Sequence, residues 1–176
     1  VLTILLNSHL DVVDEIDVGR EILKCGSVWT SSSGILGADD RAGVGVILHT
    51  LKQLQRMEFR APVKVKIAFT VEEEIGLCGA RAVSAEFLED VQAAFVVDRK
   101  GRGDIVTGTR GIDFCDELFG AMLALIGNLG EEDRWEPTLG GSSDTRIWAQ
   151  QGIQSVNLSV GYQYEHTSRE ELNLDD

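Results

Sequence analysis

The sequence predicts an α/β fold with three layers, α/β/α, built around a mainly parallel mixed sheet. Strand-like and helix-like segments alternate along the chain, which is typical of parallel strands whose connecting helices cover both faces of a sheet. Residues 1–8 are an almost continuous apolar run, as expected for a strand buried on both faces. The chain has 176 residues, 43% of them hydrophobic, with no internal repeat or linker. We therefore expect a single domain over residues 1–176.

Short apolar or alternating runs predict the strands in chain order. Residues 1–8 form the first strand, and residues 19–37, rich in glycine and serine, predict a loop that holds a short strand. The other predicted strands cover residues 63–71, 93–97, 104–108 and 154–160.

Apolar residues three and four apart predict the helices. The apolar face of the first helix, residues 43–57, consists of Val44, Ile47, Leu48, Leu51 and Leu54. Further helices are predicted over residues 77–88, 113–129 and 143–151, and a last helix begins at Ser168. Ser168 and Glu171 have the spacing of a capping box, which marks a helix start.

The charge balance excludes several classes of partner. A net charge of −13 argues against nucleic acids and anionic membranes, because both require clustered lysine and arginine. No apolar run reaches the roughly 18 residues that span a bilayer. The excess of acidic residues can serve solubility alone. It can also provide carboxylates that hold divalent metals and attract the cationic end of a substrate.

The cysteines and the chain ends bear on the cellular compartment and the processing of the protein. The three cysteines contain no CxxC pair, which predicts reduced thiols in a cytoplasmic protein. The first eight residues lack a basic start and a cleavage site, so no signal peptide is predicted. Because the chain opens inside a strand-like run without Met and stops after an apparent helix start, we expect a fragment or a processed form.

Acidic and histidine residues cluster where predicted strands end, the points at which α/β sheets form their sites. His9 and Asp11 are two apart, so in extended chain they lie on the same side. Asp11 can then accept a hydrogen bond from one ring nitrogen of His9 and leave the other nitrogen for a metal. The other clusters are Asp39–Asp40, Glu72–Glu74, Asp98 and Glu165–His166.

Each cluster also has a simpler interpretation. Asp39 or Asp40 can cap the helix that follows, or both can bind a hard cation. Glu72–Glu74 can be a solvated turn, or a place where metal charge offsets repulsion, one glutamate ligating while its neighbour acts as base. Arg99, Lys100 and Arg110 can meet a substrate carboxylate or be exposed charges. Tyr162 and Tyr164 can donate to an oxyanion.

Taken together and in order, these segments resemble the zinc-dependent exopeptidase superfamily. This superfamily contains di-metal aminopeptidases, peptidase T-like tripeptidases, and related carboxypeptidases and deacylases. The matching stretches span nearly the whole chain: SHLD (8–11), GADDRAGVG (37–45), EEIGLCGA (73–80), VVD (96–98), GGSSDT (140–145) and EHT (165–167).

The resemblance implies a site for two divalent metal ions, zinc with manganese or cobalt as alternatives. It implies that one ion is held by His9, Asp39 and Glu74, and the other by Asp39, Asp98 and His166, with Asp39 bridging. The catalytic residues would be Glu73, the general base for a water shared by the metals, and Asp11, the partner of His9. The peptide bond between Asp39 and Asp40 is expected to be cis.

The implied function is an exopeptidase of aminopeptidase or tripeptidase type that acts on small peptides. Relatives insert a second domain between the first two ligands or between the fourth and fifth. The gaps 9–39 and 98–166 are too short for one, so we expect a catalytic core without a lid or dimerisation domain. Two alternatives stay open: an N-acyl amino acid deacylase or carboxypeptidase, and a catalytically idle metal-binding relative that acts as a binding domain. Assembly into oligomers is compatible with each.

Overall fold

The computed structural model describes residues 1–57, 61–130 and 134–176. Its strands are β1 Leu2–His9, β2 Ile22–Cys25, β3 Val28–Ser31, β4 Val63–Thr70, β5 Ala93–Arg99, β6 Asp104–Thr109, β7 Ile112–Asp113, β8 Glu136–Leu139, β9 Gln154–Ser159, β10 Tyr162–Gln163 and β11 Glu171–Asn173. Its helices are α1 Ala38–Arg56, α2 Cys78–Ala82, α3 Ala85–Leu88, α4 Glu117–Gly127 and α5 Thr145–Gln150.

The larger sheet is mixed and runs in the order β4-β1-β5-β9-β6-β7, with β8 paired to β6. Strands β4, β1, β5 and β9 are mutually parallel, whereas β9 pairs antiparallel with β6. The carboxyl ends of the four parallel strands therefore meet at one edge of the sheet, and this edge carries the candidate site.

Helices cover both faces of this sheet, which confirms the predicted three-layer α/β fold. Alternate residues of a strand face opposite sides, and the neighbours Val96 and Val97 in β5 belong to different core clusters. Val96 packs with Trp148 on the side of α2, α3 and α5. Val97 packs with Ile47 on the side of α1.

A second, antiparallel sheet takes two of its strands from the glycine- and serine-rich stretch. It runs in the order β10-β11-β3-β2, so residues 19–37 contribute two strands where the sequence predicts one. The predicted last helix at Ser168 is wrong. Residues Glu171–Asn173 pair with β3, and Leu172 packs against the core cluster beside α1. Tertiary pairing thus overrides the local capping-box signal.

Two other predicted helices differ from the structure. The segment 77–88 forms two short helices, because Val83 is extended and Ser84 starts α3 by accepting a hydrogen bond from the Phe87 amide at 3.2 Å. The helix predicted from residue 113 begins at Glu117, since Asp116 caps it by accepting from the Phe119 amide at 2.7 Å. Within the described ranges, no helix is long and apolar enough to cross a membrane.

Candidate metal centre

Five predicted ligands converge at the carboxyl edge of the parallel strands. Each comes from a different segment: His9 ends β1, Asp39 opens α1, Glu74 follows β4, Asp98 lies near the end of β5 and His166 follows β10. Their ligand atoms form two groups, and the atoms of each group all lie within 4.8 Å of one another.

Asp39 belongs to both groups. Its Oδ1 atom lies 3.1 Å from Nε2 of His9, and its Oδ2 atom lies 3.1 Å from Nε2 of His166. The two oxygens of one carboxylate therefore face two different histidines. This arrangement suits a carboxylate that bridges two cations.

The first group, the inner cluster, consists of His9, Asp39 and Asp98. Nε2 of His9 lies 3.5 Å from Oδ1 of Asp98. Burial opposes protonation of His9, but hydrogen bonds to Asp39 and Asp98 raise its pKa to about 12. An environment that favours positive charge so strongly is suited to a bound cation.

The second group, the outer cluster, consists of Asp39, Glu74 and His166. The side chain of His166 is 46% exposed, so this cluster lies nearer to solvent. Nε2 of His166 lies 3.0 Å from Oε1 of Glu74, yet this buried oxygen has no hydrogen-bond partner among the described residues. Close approach without a hydrogen bond fits two ligands of a shared cation.

The grouping of the ligand atoms differs from the pairing that the resemblance implies. His9 lies with Asp98 and not with Glu74, and His166 lies with Glu74 and not with Asp98. Strands β1 and β5 are parallel neighbours, so their carboxyl ends bring His9 and Asp98 together. The order of ligands along the chain does not encode this pairing, because it follows from the order of strands in the sheet.

Asp11 contacts both His9 and the glutamate loop. Nδ1 of His9 lies 3.1 Å from the backbone carbonyl oxygen of Asp11 and 3.4 Å from its carboxylate, so the nearer acceptor is the backbone and not the predicted side chain. The carboxylate accepts hydrogen bonds from the amides of Glu73 and Glu74, both at 3.2 Å. Asp11 thereby fixes the backbone from which both glutamates extend.

Glu73 lines a polar cleft of about 150 Å³ together with His9, Asp39 and His166. Burial, followed by the charge of Asp98, raises the pKa of the Glu73 carboxyl to about 8. Buried acids with strongly raised pKa values in a cleft are candidates for proton transfer.

Asp40 answers the capping question that the sequence leaves open. Asp39 faces the two clusters, whereas Asp40 is fully buried and its Oδ1 accepts a hydrogen bond from the Gly43 amide at 3.1 Å. Its Oδ2 accepts from the His9 amide at 3.2 Å. The peptide bond between Asp39 and Asp40 is cis, as expected. One aspartate therefore points into the site while the next supports the backbone beneath it.

Tyr162, predicted as an oxyanion donor, lines the cleft but directs its hydroxyl at a carboxylate. Its side chain is buried and its hydroxyl donates to Oδ1 of Asp98 at 3.0 Å. Two basic residues at the cleft are also engaged: Arg99 pairs with Asp104 at 2.8 Å and Lys100 with Glu165 at 2.6 Å.

Glu170 was missed at the sequence level because Ser168 and Glu171 suggested a helix there. The Glu170 side chain is buried, and its two oxygens accept hydrogen bonds from the amides of Gly37 and Asp39 at 2.7 and 2.9 Å. An acidic residue shortly after a histidine carries no local signal of such a contact, which forms across 131 residues of sequence.

Comparison with known proteins gives a family match and several relatives. The model of Peptidase family M28 matches residues 2–175. The uncharacterized protein YqjE of Bacillus subtilis is 30% identical over 105 residues, which cover 59% of this chain and 28% of that protein. A peptidase T-like protein of Yersinia pestis is 35% identical over 80 residues, covering 45% of this chain and 18% of that protein. The matched segments thus span less than a third of these curated relatives.

Solved structures share the fold. Aminopeptidase PepT from Bacillus cereus superposes with a TM-score of 0.77 at 20% identity, over 99% of this chain and 77% of that one. A tripeptidase from Staphylococcus aureus gives 0.74 at 18% identity, with the same coverage. The TET1 peptidase of Pyrococcus horikoshii gives 0.69 at 26% identity, over 90% of this chain and 49% of that one.

Proposed function

Because this chain belongs to peptidase family M28, we propose that it is the catalytic core of a metal-dependent exopeptidase that hydrolyses small peptides, of aminopeptidase or tripeptidase type. The observation that carries this proposal is the Asp39 carboxylate, whose two oxygens each lie 3.1 Å from a different histidine nitrogen. A carboxylate shared in this way is what a two-cation hydrolytic centre needs.

The donor set supports two zinc ions as the cofactor. His9 and Asp98 would hold one ion, Glu74 and His166 the other, and Asp39 would bridge them. Imidazole and carboxylate donors suit Zn²⁺, and also accept Mn²⁺ or Co²⁺. When bound, such ions supply Lewis-acid polarisation of the scissile carbonyl and a lowered pKa for the attacking water.

Glu73 is the proposed general base. Its carboxylate would take a proton from the attacking water as the new C–O bond forms, and pass that proton to the departing amine as the C–N bond breaks. Burial raises the pKa of this carboxyl in the metal-free site, and cations held by the neighbouring ligands would favour its charged form, which accepts the proton. The Asp11 carboxylate accepts hydrogen bonds from the amides of Glu73 and Glu74. These bonds would hold the backbone of the general base and of the neighbouring ligand in place.

The cleft favours a small substrate end. Its volume of about 150 Å³ and its acidic walls suit the cationic amino terminus of a peptide better than a carboxylate. A deacylase or carboxypeptidase remains the second candidate, because Arg99 and Lys100 also line the cleft. Their ion pairs with Asp104 and Glu165 leave them less suited to hold a substrate carboxylate.

The test compares two substrate classes. Wild-type protein with zinc is assayed on tripeptides and amino acid p-nitroanilides, and separately on N-acetyl amino acids, with metal content measured in parallel. We expect turnover of the first class. We also expect Glu73→Gln to lose roughly 10²–10⁴-fold in kcat while its metal content stays at the wild-type level. Turnover of N-acetyl amino acids alone favours the second candidate. Bound metal without turnover of either class favours the idle binding domain.

We further propose that residues 1–176 act as one catalytic domain without a lid, in the cytoplasm, and that the protein assembles with copies of itself. The three cysteines are free, which supports a reducing compartment.

The TET1 relative assembles into a tetrahedron or an octahedral shell. Helix α4 exposes the apolar side chains of Leu118, Leu125 and Ile126, a face of the kind that subunit contacts bury. Light scattering of the wild type and of Leu125→Glu tests this, and equal monomer masses would contradict it.

A further inference from the structure

Glu170 is a buried acid that the proposed reaction does not use. Only 2% of its surface is exposed, and burying a carboxylate is costly unless it is hydrogen-bonded. Its Oε2 accepts a hydrogen bond from the Gly37 amide at 2.7 Å, and its Oε1 accepts from the Asp39 amide at 2.9 Å. Both oxygens are therefore bonded to a single turn of backbone.

That turn carries the bridging ligand. Gly37 has a left-handed backbone (φ 71°) and stands immediately before α1, and Asp39, in the first turn, has a backbone that departs from helical geometry (φ −77°, ψ 106°). The first amides of a helix have no partner within the helix, and no side chain of the cap itself supplies one here. Glu170 supplies both bonds from outside, and so fixes the backbone from which the Asp39 carboxylate extends.

Glu170 is also tied to the loop of the outer histidine. It lies four residues after His166, and its amide donates to the carbonyl of Thr167 at 3.1 Å. His166 has a left-handed backbone (φ 63°) and a side chain that is 46% exposed, so burial alone holds this ligand poorly. Through Glu170, the His166 loop is hydrogen-bonded to the backbone of Asp39, another residue of the outer cluster.

We infer that Glu170 is a positioning residue that holds the Asp39 and His166 loops together and thereby sets cation affinity in the outer cluster. The inference rests on the proposed two-cation site. It assigns Glu170 no contact with substrate or cation. Its effect is transmitted through two backbone hydrogen bonds to Asp39 and Gly37 and through the short segment that leads back to His166.

The decisive variant is Glu170→Gln, which keeps the shape of the side chain but replaces one accepting oxygen by an N–H donor facing an amide. The matched control is Glu171→Gln, the next residue, which lies half-buried in β11. Zn²⁺ affinity is measured by calorimetric titration of metal-free protein, and ligand geometry by the visible absorption of the Co²⁺-loaded form. The thermal midpoint of the metal-free protein is measured alongside.

We expect Glu170→Gln to bind one of the two ions about 10–100-fold more weakly than wild type, with an altered Co²⁺ band, and Glu171→Gln to match wild type. A lowered metal-free midpoint with unchanged Zn²⁺ affinity and Co²⁺ spectrum would overturn the inference, because Glu170 would then only stabilise the fold. Should Glu170→Gln unfold without metal, Glu170→Asp, whose carboxylate is one methylene shorter, is judged by the same two criteria.

The same titrations separate this inference from the proposed function. A wild-type protein that binds two ions but hydrolyses no peptide overturns the peptidase proposal and leaves the Glu170 comparison valid. A wild-type protein that binds no ion overturns both. An active wild type with an unaffected Glu170→Gln variant overturns the positioning role alone.

Discussion

Asp39 and Asp98 differ in the number of clusters that they serve. Asp39 faces both histidines, whereas Asp98 belongs to the inner cluster alone. We therefore expect Asp39→Ala to weaken binding of both ions and Asp98→Ala to weaken binding of one. Elemental analysis after equilibration with zinc measures the metal content per chain, and Asp113→Ala, an exposed acid in β7, serves as the control. Equal losses in the two variants would contradict a bridging role for Asp39.

The five candidate ligands and Glu73 can be located in the sequence because histidines and acids cluster near the ends of predicted strands and at the start of a helix, and the resemblance to the exopeptidase superfamily implies their roles. Two facts could not be read in this way. The division of the ligands into inner and outer clusters depends on which strands are neighbours, and this is a property of the sheet. The contact of Glu170 with the Asp39 amide joins distant segments, and a misleading local helix signal concealed it.

Two glycines of α1 differ in the space that a side chain would have. A Cβ atom on Gly43 would lie 1.9 Å from the carbonyl oxygen of Val97, whereas a Cβ on Gly45 would meet no atom within 4 Å. Gly43→Ala must push the helix away from β5, so we expect a loss of at least about 1–3 kcal/mol in the free energy of unfolding. Gly45→Ala should stabilise by about 0.5–1 kcal/mol through helix propensity. Urea denaturation of both variants measures the contrast, and equal effects would contradict the close packing of α1 on β5.

The edge strand β4 is tied to the turn after α3 by an acid with two lysine partners. Lys64 lies 2.8 Å from Asp90, and Lys66 also pairs with it. Hydrogen bonds from Lys64 and Lys66 hold the pKa of Asp90 below its usual range. A lowered folded-state pKa stabilises the fold above the unfolded-state pKa of about 3.9, and this contribution is lost as the pH falls.

The expected result for Asp90→Asn is a lower thermal midpoint than wild type at pH 7. The difference should narrow as the pH falls below about 4. It should be small because the carboxylate is half exposed and screened by water. Thermal scans of both proteins from pH 7 to below pH 4 measure this difference in midpoint. A difference that grows as the pH falls would contradict a lowered pKa for Asp90 in the folded state.

At the scale of elements, periodicity located the parallel strands and α1 well, because apolar spacing reflects burial directly. Periodicity failed for the short strands that form only by pairing with other strands. The strand β11 forms against β3 despite a capping-box signal, and the short strands β7 and β8 pair with β6 without a run long enough to predict them.

For the whole molecule, the sheet topology explains the site. Four parallel strands end at one edge, and the chain places acids there that repel one another. Burial raises the pKa values of Glu73, Glu74 and Asp98.

A ligand that binds only the folded state stabilises it by about 2.7 kcal/mol at 100 times its dissociation constant. Zinc should therefore raise the thermal midpoint of metal-free protein, and Asp39→Ala should abolish most of the rise. A zinc response that survives in Asp39→Ala would place the binding elsewhere.

The most direct test of the two-cation centre is a crystal structure of the zinc-loaded protein with anomalous data collected at the zinc edge. The account predicts two peaks at the carboxyl edge of the sheet. One should be bound by His9 and Asp98, the other by Glu74 and His166, and both by Asp39. A single peak, or a peak shared by His9 and Glu74 without Asp98, would contradict the account.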